Sequence, residues 1–353
     1  MCNRNSIQCI IPPYITEHLA TSEDPDIRAR AIADLASSAA MRAVRELSQS
    51  MPNLMAAMSP NKKKQRLIYD AKKKDQLPGS LIRSEGQAKV SDPAVNEAYD
   101  YSGDTYDFYS KIFDRNSLDD NGMTLKSSVH VAEVGPDGTL HAMNNAFWNG
   151  EQMAYGDGDG KVFERFTKSL DVVGHELTHG VVSFTSNLTY RAQSGALNEH
   201  FADVFGILVR QWKKGETALK ANWVVGADII KPAATRRGIR DMENPGTAFN
   251  KDPFLGTDPQ PAHLSKIYTG NADRQGVHIN SGIPNRAFVL TAKALKGKAW
   301  EVAGGIWYKT LLQLSATSQF IDCAKISVQV AGTHGAAATK AVKAAWKNVG
   351  ITV

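Results

Sequence analysis

Cysteine is scarce in this chain. Three stand among 353 residues, Cys2 and Cys9 at the start and Cys323 near the end, so no disulfide framework holds the fold. Long apolar runs are missing too. Nowhere do eighteen uninterrupted apolar residues follow one another, which excludes a transmembrane helix and leaves no membrane partner to expect. The first residues carry a lone Arg4, the short Ile10-Ile11 patch and then Pro12-Pro13. That is not the charged, apolar and small-residue order of a secretory signal, so Sec-type export is not expected. Neither sign of charge dominates: 41 Lys and Arg against 36 Asp and Glu give a formal +5. The triplets Lys62-Lys63-Lys64 and Lys72-Lys73-Lys74 flank a strand-like Leu67-Ile68-Tyr69 without interleaved aromatics, so they read as solvated surface and no nucleic-acid partner is expected. What remains is an ordinary globular composition, 42% hydrophobic and 22% charged, at a length that holds two domains or one domain with an appendage.

Taken in order, apolar residues at helical spacing (Ile32, Leu35, Ala39, Val44, Leu47) predict one or two helices over 26–54. Ahead of them, Cys9-Ile10-Ile11-Pro12-Pro13-Tyr14 reads as extended by its prolines and too apolar to be left in water, so it must dock on something. Pro52, Asn53, Ser59, Pro60 and Asn61 mark a linker. Strand and helix signals mix from 66 to 170. Pro93 opens a helix through Phe113 with an interruption expected near Gly103, and 125–134 alternates as a strand before the hairpin turn Gly135-Pro136-Asp137-Gly138. Asn145-Ala146-Phe147-Trp148 is a further strand, and Gly156-Asp157-Gly158-Asp159-Gly160 a tight acidic turn. Beyond Leu170 the chain is mostly helical, with long loops expected over 213–283 and helices over 284–295, 300–314, 321–330 and 336–349.

Within the helical part stands His175-Glu176-Leu177-Thr178-His179. Residues four apart on a helix sit about 40° apart and one turn up, so both imidazoles reach one cation, while Glu176, roughly 100° round, is set to touch a water there but not to ligate. The competing reading is two core histidines, since Val172, Val173, Leu177, Val181 and Val182 leave few polar positions around the wheel. Two imidazoles and a carboxylate buried without a cation are costly, which favours the metal. A third ligand is then required. Glu199, twenty residues beyond His179, and Asp203 lie opposite the apolar stripe Leu197, Phe201, Val204, Phe205 and Leu208, a face that is ordinarily solvated.

With Asn145-Ala146-Phe147-Trp148, the HELTH segment, Gly195-Ala196-Leu197-Asn198-Glu199 with Asp203, Arg237-Gly238-Ile239-Arg240 and Gly276-Val277-His278-Ile279-Asn280-Ser281-Gly282 in this order, the chain resembles the thermolysin family of zinc endopeptidases from about residue 66 to its end. The early Pro-Pro-Tyr segment points to the protealysin-like branch. A metzincin is excluded independently, because Val182 and Thr185 stand where that pattern has glycine and a third histidine. The resemblance implies an α+β, two-lobed fold: a β-rich N-terminal lobe over 61–185 ending in the HELTH helix, a mainly helical C-terminal lobe over 186–353, a cleft between them, and a short helical inhibitory propeptide over 1–60. It implies one catalytic zinc on His175, His179 and Glu199 with the fourth position left for water, Glu176 as the base, and Asp203 and Asn198 accepting from the outer nitrogens of the two histidines. His278, oriented by Asp273, and Tyr190 would stabilise the oxyanion. Arg240 would bind a substrate carbonyl, Asn145 and Ala146 would pair with the substrate backbone, and Trp148 would extend that edge. Phe163, Phe166, Val172 and Ile239 would wall the pocket for the residue after the scissile bond, giving a preference for a bulky hydrophobic residue there.

Departures from the pattern bear on calcium. Asp171 and Asp228 remain where relatives have a double calcium site, but Arg210 and Ala227 take two matching positions, and Lys231 stands in a loop that binds calcium in some relatives. A guanidinium can neutralise those carboxylates, so the double site is not expected. The propeptide is expected to dock Cys9, Pro12, Pro13 and Tyr14 in the cleft. A thiolate of Cys9 or Cys2 on the zinc is the alternative to plain packing. Maturation is expected between about residues 46 and 66, where Leu54 and Met58 suit the pocket. Protein or peptide substrates, a monomer, and release by a route other than Sec, with the cytoplasm as the alternative, complete the expectation. The competing class, a catalytically silent zinc-containing binding protein, is disfavoured by the open ligand position and the intact Glu176, Tyr190 and His278.

Overall fold

The structure, a computed structural model, describes residues 8–48 and 63–353, with the side chains of Gln8 and of 37–48 left out. Cys2, the linker residues 52–61, and Leu54 and Met58 in the stretch expected for maturation lie outside the described residues.

The chain begins with β1 (Gln8–Cys9), α1 (Pro13–Leu19) and α2 (Pro25–Ser48). There follow β2 (Arg66–Lys74), β3 (Ser80–Ser84), α3 (Pro93–Phe113), β4 (Leu125–Val134), β5 (Leu140–Ala142), β6 (Ala146–Trp148) and β7 (Met153–Gly156). These strands form one mixed sheet in the order β1-β6-β7-β4-β2-β3, with β5 hairpinned onto β4. β4 runs parallel to both β2 and β7, and it is buried at most positions because neighbours cover both its faces. Strand β1 forms one edge. It lies antiparallel on β6, with Gln8 opposite Trp148 and Cys9 opposite Phe147.

The second half comprises α4 (Leu170–Ser183), α5 (Ala192–Lys214), β8 (Val224–Val225), β9 (Arg240–Asp241), α6 (Ala272–Asn280), α7 (Gly282–Leu295), α8 (Val302–Leu311), α9 (Phe320–Gly332) and α10 (Ala336–Asn348). Every residue from Leu170 to Val182 is buried, so α4 runs through the interior between the sheet and the helical lobe. Its backbone touches that of α5. A Cβ on Gly206 would stand 2.5 Å from the Asp171 carbonyl oxygen, and one on Gly174 would stand 3.1 Å from Gly206 Cα. Only glycine allows so close a crossing, and it is this crossing that brings the two histidines of α4 over the acidic face of α5.

Three expectations need correction. Helix α3 is unbroken, because Gly103 is a space for Arg66 and not a helix stop: a Cβ there would lie 2.2 Å from the Arg66 guanidinium. The segment at the N-terminus is extended only as far as Pro12 (φ −64°, ψ 146°), and Pro13 and Tyr14 start α1, since a missing N–H costs nothing at the first helical position. The stretch 272–283 is not all loop: after a left-handed turn over 273–276 it runs as helix through the rest of α6 into α7, capped by Asp273, which accepts from the backbone N–H of His278 (2.7 Å) and Ile279 (3.1 Å). Glu199 and Asp203, on a face of α5 that is ordinarily solvated, are wholly buried against α4, as a ligand and its neighbour would be.

Candidate metal centre and cleft

His175 and His179 present their Nε2 atoms to one another at 3.0 Å. His179 Nδ1 lies 2.8 Å from the Asn198 side-chain oxygen, whose amide nitrogen donates to the Leu188 carbonyl (3.1 Å), and His175 Nδ1 lies 2.9 Å from Asp203 Oδ1. Both partners can only accept, so both ring protons are on Nδ1 and both Nε2 lone pairs face inward. The Glu199 carboxylate closes the triangle at 3.5 Å from His175 Nε2 and 3.4 Å from His179 Nε2, and its Oε2 has no hydrogen-bond partner. Burial, with His175 beside it, keeps the His179 imidazole neutral well below the ordinary histidine range. Two facing lone pairs and a carboxylate, all fully buried, are a set of like-minded acceptors that only a cation reconciles. Among the described residues this is the group of His, Cys, Asp or Glu side chains close enough to share an ion, and Cys9 is not in it. The N₂O donor set fits a catalytic zinc, which takes three protein ligands and keeps an open position.

Around this triad stand the groups that can move protons. Glu176, one residue along α4 from His175, accepts the Trp148 backbone N–H on Oε2 (3.1 Å) and leaves Oε1 without a partner. Burial, and then the nearby Glu199 charge, push its carboxyl well above the usual range. Tyr190 donates its hydroxyl to Glu199 Oε1 and lies 3.2 Å from His278 Nε2. His278 Nδ1 is 2.6 Å from Asp273 Oδ1 and Nε2 is 3.1 Å from the Cys9 carbonyl oxygen. Both partners accept, so the ring holds two protons. Burial alone would discharge it, but Glu199 and Asp273 overcome burial and raise its pKa to about 9. The turn that aims Asp273 is built from four consecutive residues with positive φ, Asp273, Arg274, Gln275 and Gly276. Three of them are not glycine, a costly conformation of the kind found where geometry is imposed by function.

The cleft edge is covered by the start of the chain. Ile10 N–H donates to the Ala146 carbonyl (3.3 Å), Ile11 N–H donates to Asn145 Oδ1 (3.2 Å), and Arg240 Nη1 donates to the Ile10 carbonyl (3.0 Å). Arg240 is held from behind by the Asp203 carboxylate through Nη2 (2.8 Å) and Nε (2.9 Å). The segment's most buried residues are Ile10 (0% exposed) and Ile11 (2%), the apolar pair that made the Cys9-to-Tyr14 stretch one that must dock. Pro12 is buried, Pro13 and Tyr14 are half-buried, and the Tyr14 hydroxyl is enclosed without a hydrogen-bond partner. Phe163, Phe166, Val172 and Ile239 are wholly buried in the main core, Phe163 and Phe166 with ring centroids 5.8 Å apart, and Trp148 is also buried.

Two family descriptions match the chain: thermolysin metallopeptidase, catalytic domain, over residues 46–183, and thermolysin metallopeptidase, alpha-helical domain, over residues 186–351. The chain is 48% identical over 291 residues to an extracellular metalloprotease of Pectobacterium carotovorum subsp. carotovorum, covering 82% of this chain and 81% of that protein. It is 44% identical over 356 residues to protease PrtS of Photorhabdus sp. (strain Az29), covering 99% and 93%. The solved precursor of protealysin, a metalloproteinase from Serratia proteamaculans, superposes with a TM-score of 0.85 at 42% identity, over 98% of this chain and all of that one. The chain therefore belongs to the thermolysin family of zinc-dependent metalloendopeptidases, and within it to the protealysin-like proteases that carry a propeptide.

Proposed function

We propose that this protein is a latent endopeptidase whose cleft is filled by its own residues 1–60, and that once freed it hydrolyses internal peptide bonds of proteins ahead of a bulky hydrophobic residue. The observation that carries the reading is the meeting of two imidazole lone pairs and the Glu199 carboxylate beside the unpartnered Oε1 of Glu176. His175, His179 and Glu199 would hold the zinc, which when bound supplies Lewis-acid polarisation and acidifies water toward neutrality. Glu176, anchored through Oε2 by the Trp148 N–H, takes the proton of the attacking water on Oε1 and returns it to the leaving amine. His278, charged and braced by Asp273, and Tyr190 donate to the oxygen on which charge develops. Asp203 and Asn198 keep the two ring protons on Nδ1.

The same donors now engage the start of the chain, which supports the substrate assignment. Arg240 and His278 hold the carbonyls of Ile10 and Cys9, while Asn145 and Ala146 accept the N–H groups of Ile11 and Ile10, as an extended substrate requires. Phe163, Phe166, Val172 and Ile239 then wall the pocket after the scissile bond, and Trp148 prolongs the edge. On this reading the lobes divide at 61–185 and 186–353, and Cys9 docks through its backbone. Arg210 Nη1 donates to Asp171 Oδ2 (2.6 Å) and to the Val224 carbonyl (3.1 Å), which supports the view that a guanidinium replaces the double calcium site, with Ala227 offering no ligand. The relative named as an extracellular metalloprotease supports action outside the cell. The test is digestion of casein with and without a zinc chelator, joined to mass spectrometry of wild type and Glu176→Gln. Wild type should lose its N-terminal segment and its activity should vanish on chelation and return with zinc, while Glu176→Gln stays full-length and inert. Active wild type that remains full-length would refute the latent-precursor reading.

A further inference from the structure

A buried polar chain runs from α8 to the metal centre. Trp307 Nε1 donates to His200 Nε2 (2.7 Å), His200 Nδ1 lies 2.8 Å from Asn285 Oδ1, and Asn285 Nδ2 donates to Asp203 Oδ2 (2.9 Å). Trp307, His200, Asn285 and Asp203 come from three helices, and none has measurable exposure. The direction of every link is fixed by its first member. An indole N–H can only donate, so His200 Nε2 is the acceptor and the ring's proton is on Nδ1. That proton points at Asn285, which must present its oxygen there and therefore its NH₂ to Asp203. Flipping the amide would set N–H against N–H at His200.

Asp203 thereby accepts hydrogen bonds from Asn285 and Arg240, and its Oδ1 faces His175 Nδ1, which lies within reach but out of line for a full hydrogen bond. Asn285 Nδ2 and Arg240 Nε, each at 2.9 Å, reach Oδ2, while Arg240 Nη2 at 2.8 Å reaches Oδ1 and His175 Nδ1 lies 2.9 Å from it. Arg240 is shared, since its Nη1 also holds the Ile10 carbonyl in the cleft, so its grip on Asp203 answers to whatever peptide lies there. Asn285 touches nothing in the cleft through this link. It is the donor that keeps Asp203 in place when the cleft is empty.

We propose that Asn285, His200 and Trp307 are positioning residues for the metal ligand His175: their one-way chain of hydrogen bonds fixes the Asp203 carboxylate, which fixes the His175 proton on Nδ1 and its lone pair on the metal side. The proposal rests on the zinc reading of the His175, His179 and Glu199 cluster. Its consequence lies in how firmly the ion is kept, most of all once residues 1–60 have gone.

The test measures release of zinc from purified full-length and matured protein to a chromophoric chelator, beside thermal melting of the same samples. Removal of a group that supports a metal-bound histidine typically costs 10–100-fold in metal affinity, so Asn285→Leu and His200→Leu should release zinc at least about tenfold faster than wild type. His200→Gln should stay near wild type, because its amide oxygen can accept from the indole while its NH₂ donates to Asn285. Trp307→Phe keeps the ring and loses only the N–H, which guards against a variant that does not fold, and it too should release zinc faster. Phe288→Leu serves as the control for packing: Phe288 lies 5.0 Å from Trp307 between ring centroids, and this substitution should lower the melting temperature while leaving zinc release unchanged. Zinc-loaded wild type whose release is matched by Asn285→Leu, His200→Leu and Trp307→Phe would overturn the proposal alone. Equal acceleration by Phe288→Leu, or by His200→Gln, would overturn it as well. Wild type that takes up no stoichiometric zinc would overturn the metal-site reading beneath it.

Discussion

Asp34, on α2, and Glu133, on β4, are carboxylic acids from opposite sides of the propeptide contact, 3% and 4% exposed, and they hydrogen-bond to one another. Two carboxyl groups do so only when one carries a proton. Burial first, then their mutual repulsion with Asp159 adding to it, raises Asp34 well above the usual range, and burial likewise raises Glu133. Among the described side chains the compensating contact is weak: the Asn144 N–H reaches Asp34 Oδ1 at 3.3 Å, and Glu133 Oε2 has no partner. The sign follows. A raised carboxyl pKa means the docked state binds more protons than the undocked one, so docking is strongest at low pH and weakens as pH rises above the ordinary carboxylate value of about 4. One extra bound proton is worth up to about 1.4 kcal/mol, or tenfold in the docking equilibrium, per pH unit until the raised pKa is passed. Two other contacts across the interface titrate elsewhere. Lys161 pairs with Asp24 (2.6 Å), which is held below the usual carboxylate range and so is constant above pH 5, while His278, at about 9, changes only at higher pH. The assay is dissociation of the N-terminal segment from Glu176→Gln precursor nicked between residues 48 and 63 by a second protease, followed by gel filtration from pH 5 to 8. Wild type should release the segment progressively as pH rises. Asp34→Asn, whose amide can donate to Glu133, should hold it with a much shallower pH dependence. Identical pH profiles for the two, or faster release at pH 5 than at pH 8, would refute the shared-proton argument.

Arg210→Met should destabilise the protein by about 3–5 kcal/mol in urea unfolding, because it strands the fully buried Asp171 carboxylate, and adding Asp171→Asn should recover part of that loss. No recovery in the double variant would show that the charge was not the cause. His130 bridges Asp157 (2.8 Å) and Asp92 (2.7 Å), and its hydrogen bond to Asp157, then that to Asp92, raise its pKa to about 9 against burial. A raised histidine contributes fully below about pH 6.5 and is lost as pH climbs through 9; with solvent screening of these part-exposed partners the contribution is about 1–2 kcal/mol. Compared with His130→Gln, both in the Glu176→Gln background, wild type should therefore lose that advantage between pH 6 and pH 9.5, and a constant difference would count against it.

How much of this was legible beforehand depends on how far apart in the chain the cooperating groups lie. His175, Glu176 and His179 share one helical turn, so spacing alone specifies which atoms can meet, and the same holds for the hairpin at Gly135 to Gly138 and the helix begun at Pro93. Glu199 stood out as a third-ligand candidate, but it lies opposite the apolar stripe of its helix, so its burial was not legible. Its burial follows from the glycine contact between Gly174 and Gly206, and a glycine in a helix says nothing locally about which other glycine it will meet. The same applies to Gly103, which reads as a helix break until Arg66, far back in the chain, is seen to fill the space. Asp273 to Gly276 escaped because left-handed residues that are not glycine have no propensity signal; they are held by the bonds Asp273 makes to the backbone of the following turn. Trp307, His200 and Asn285 are the extreme case. Each looks like an ordinary core residue, and their hydrogen-bond partners stand 82 to 107 positions away along the chain. Chemistry that needs one turn of helix is thus written in spacing, whereas chemistry that sets the direction of a proton needs the packing of three helices first, and that packing is what the structure adds.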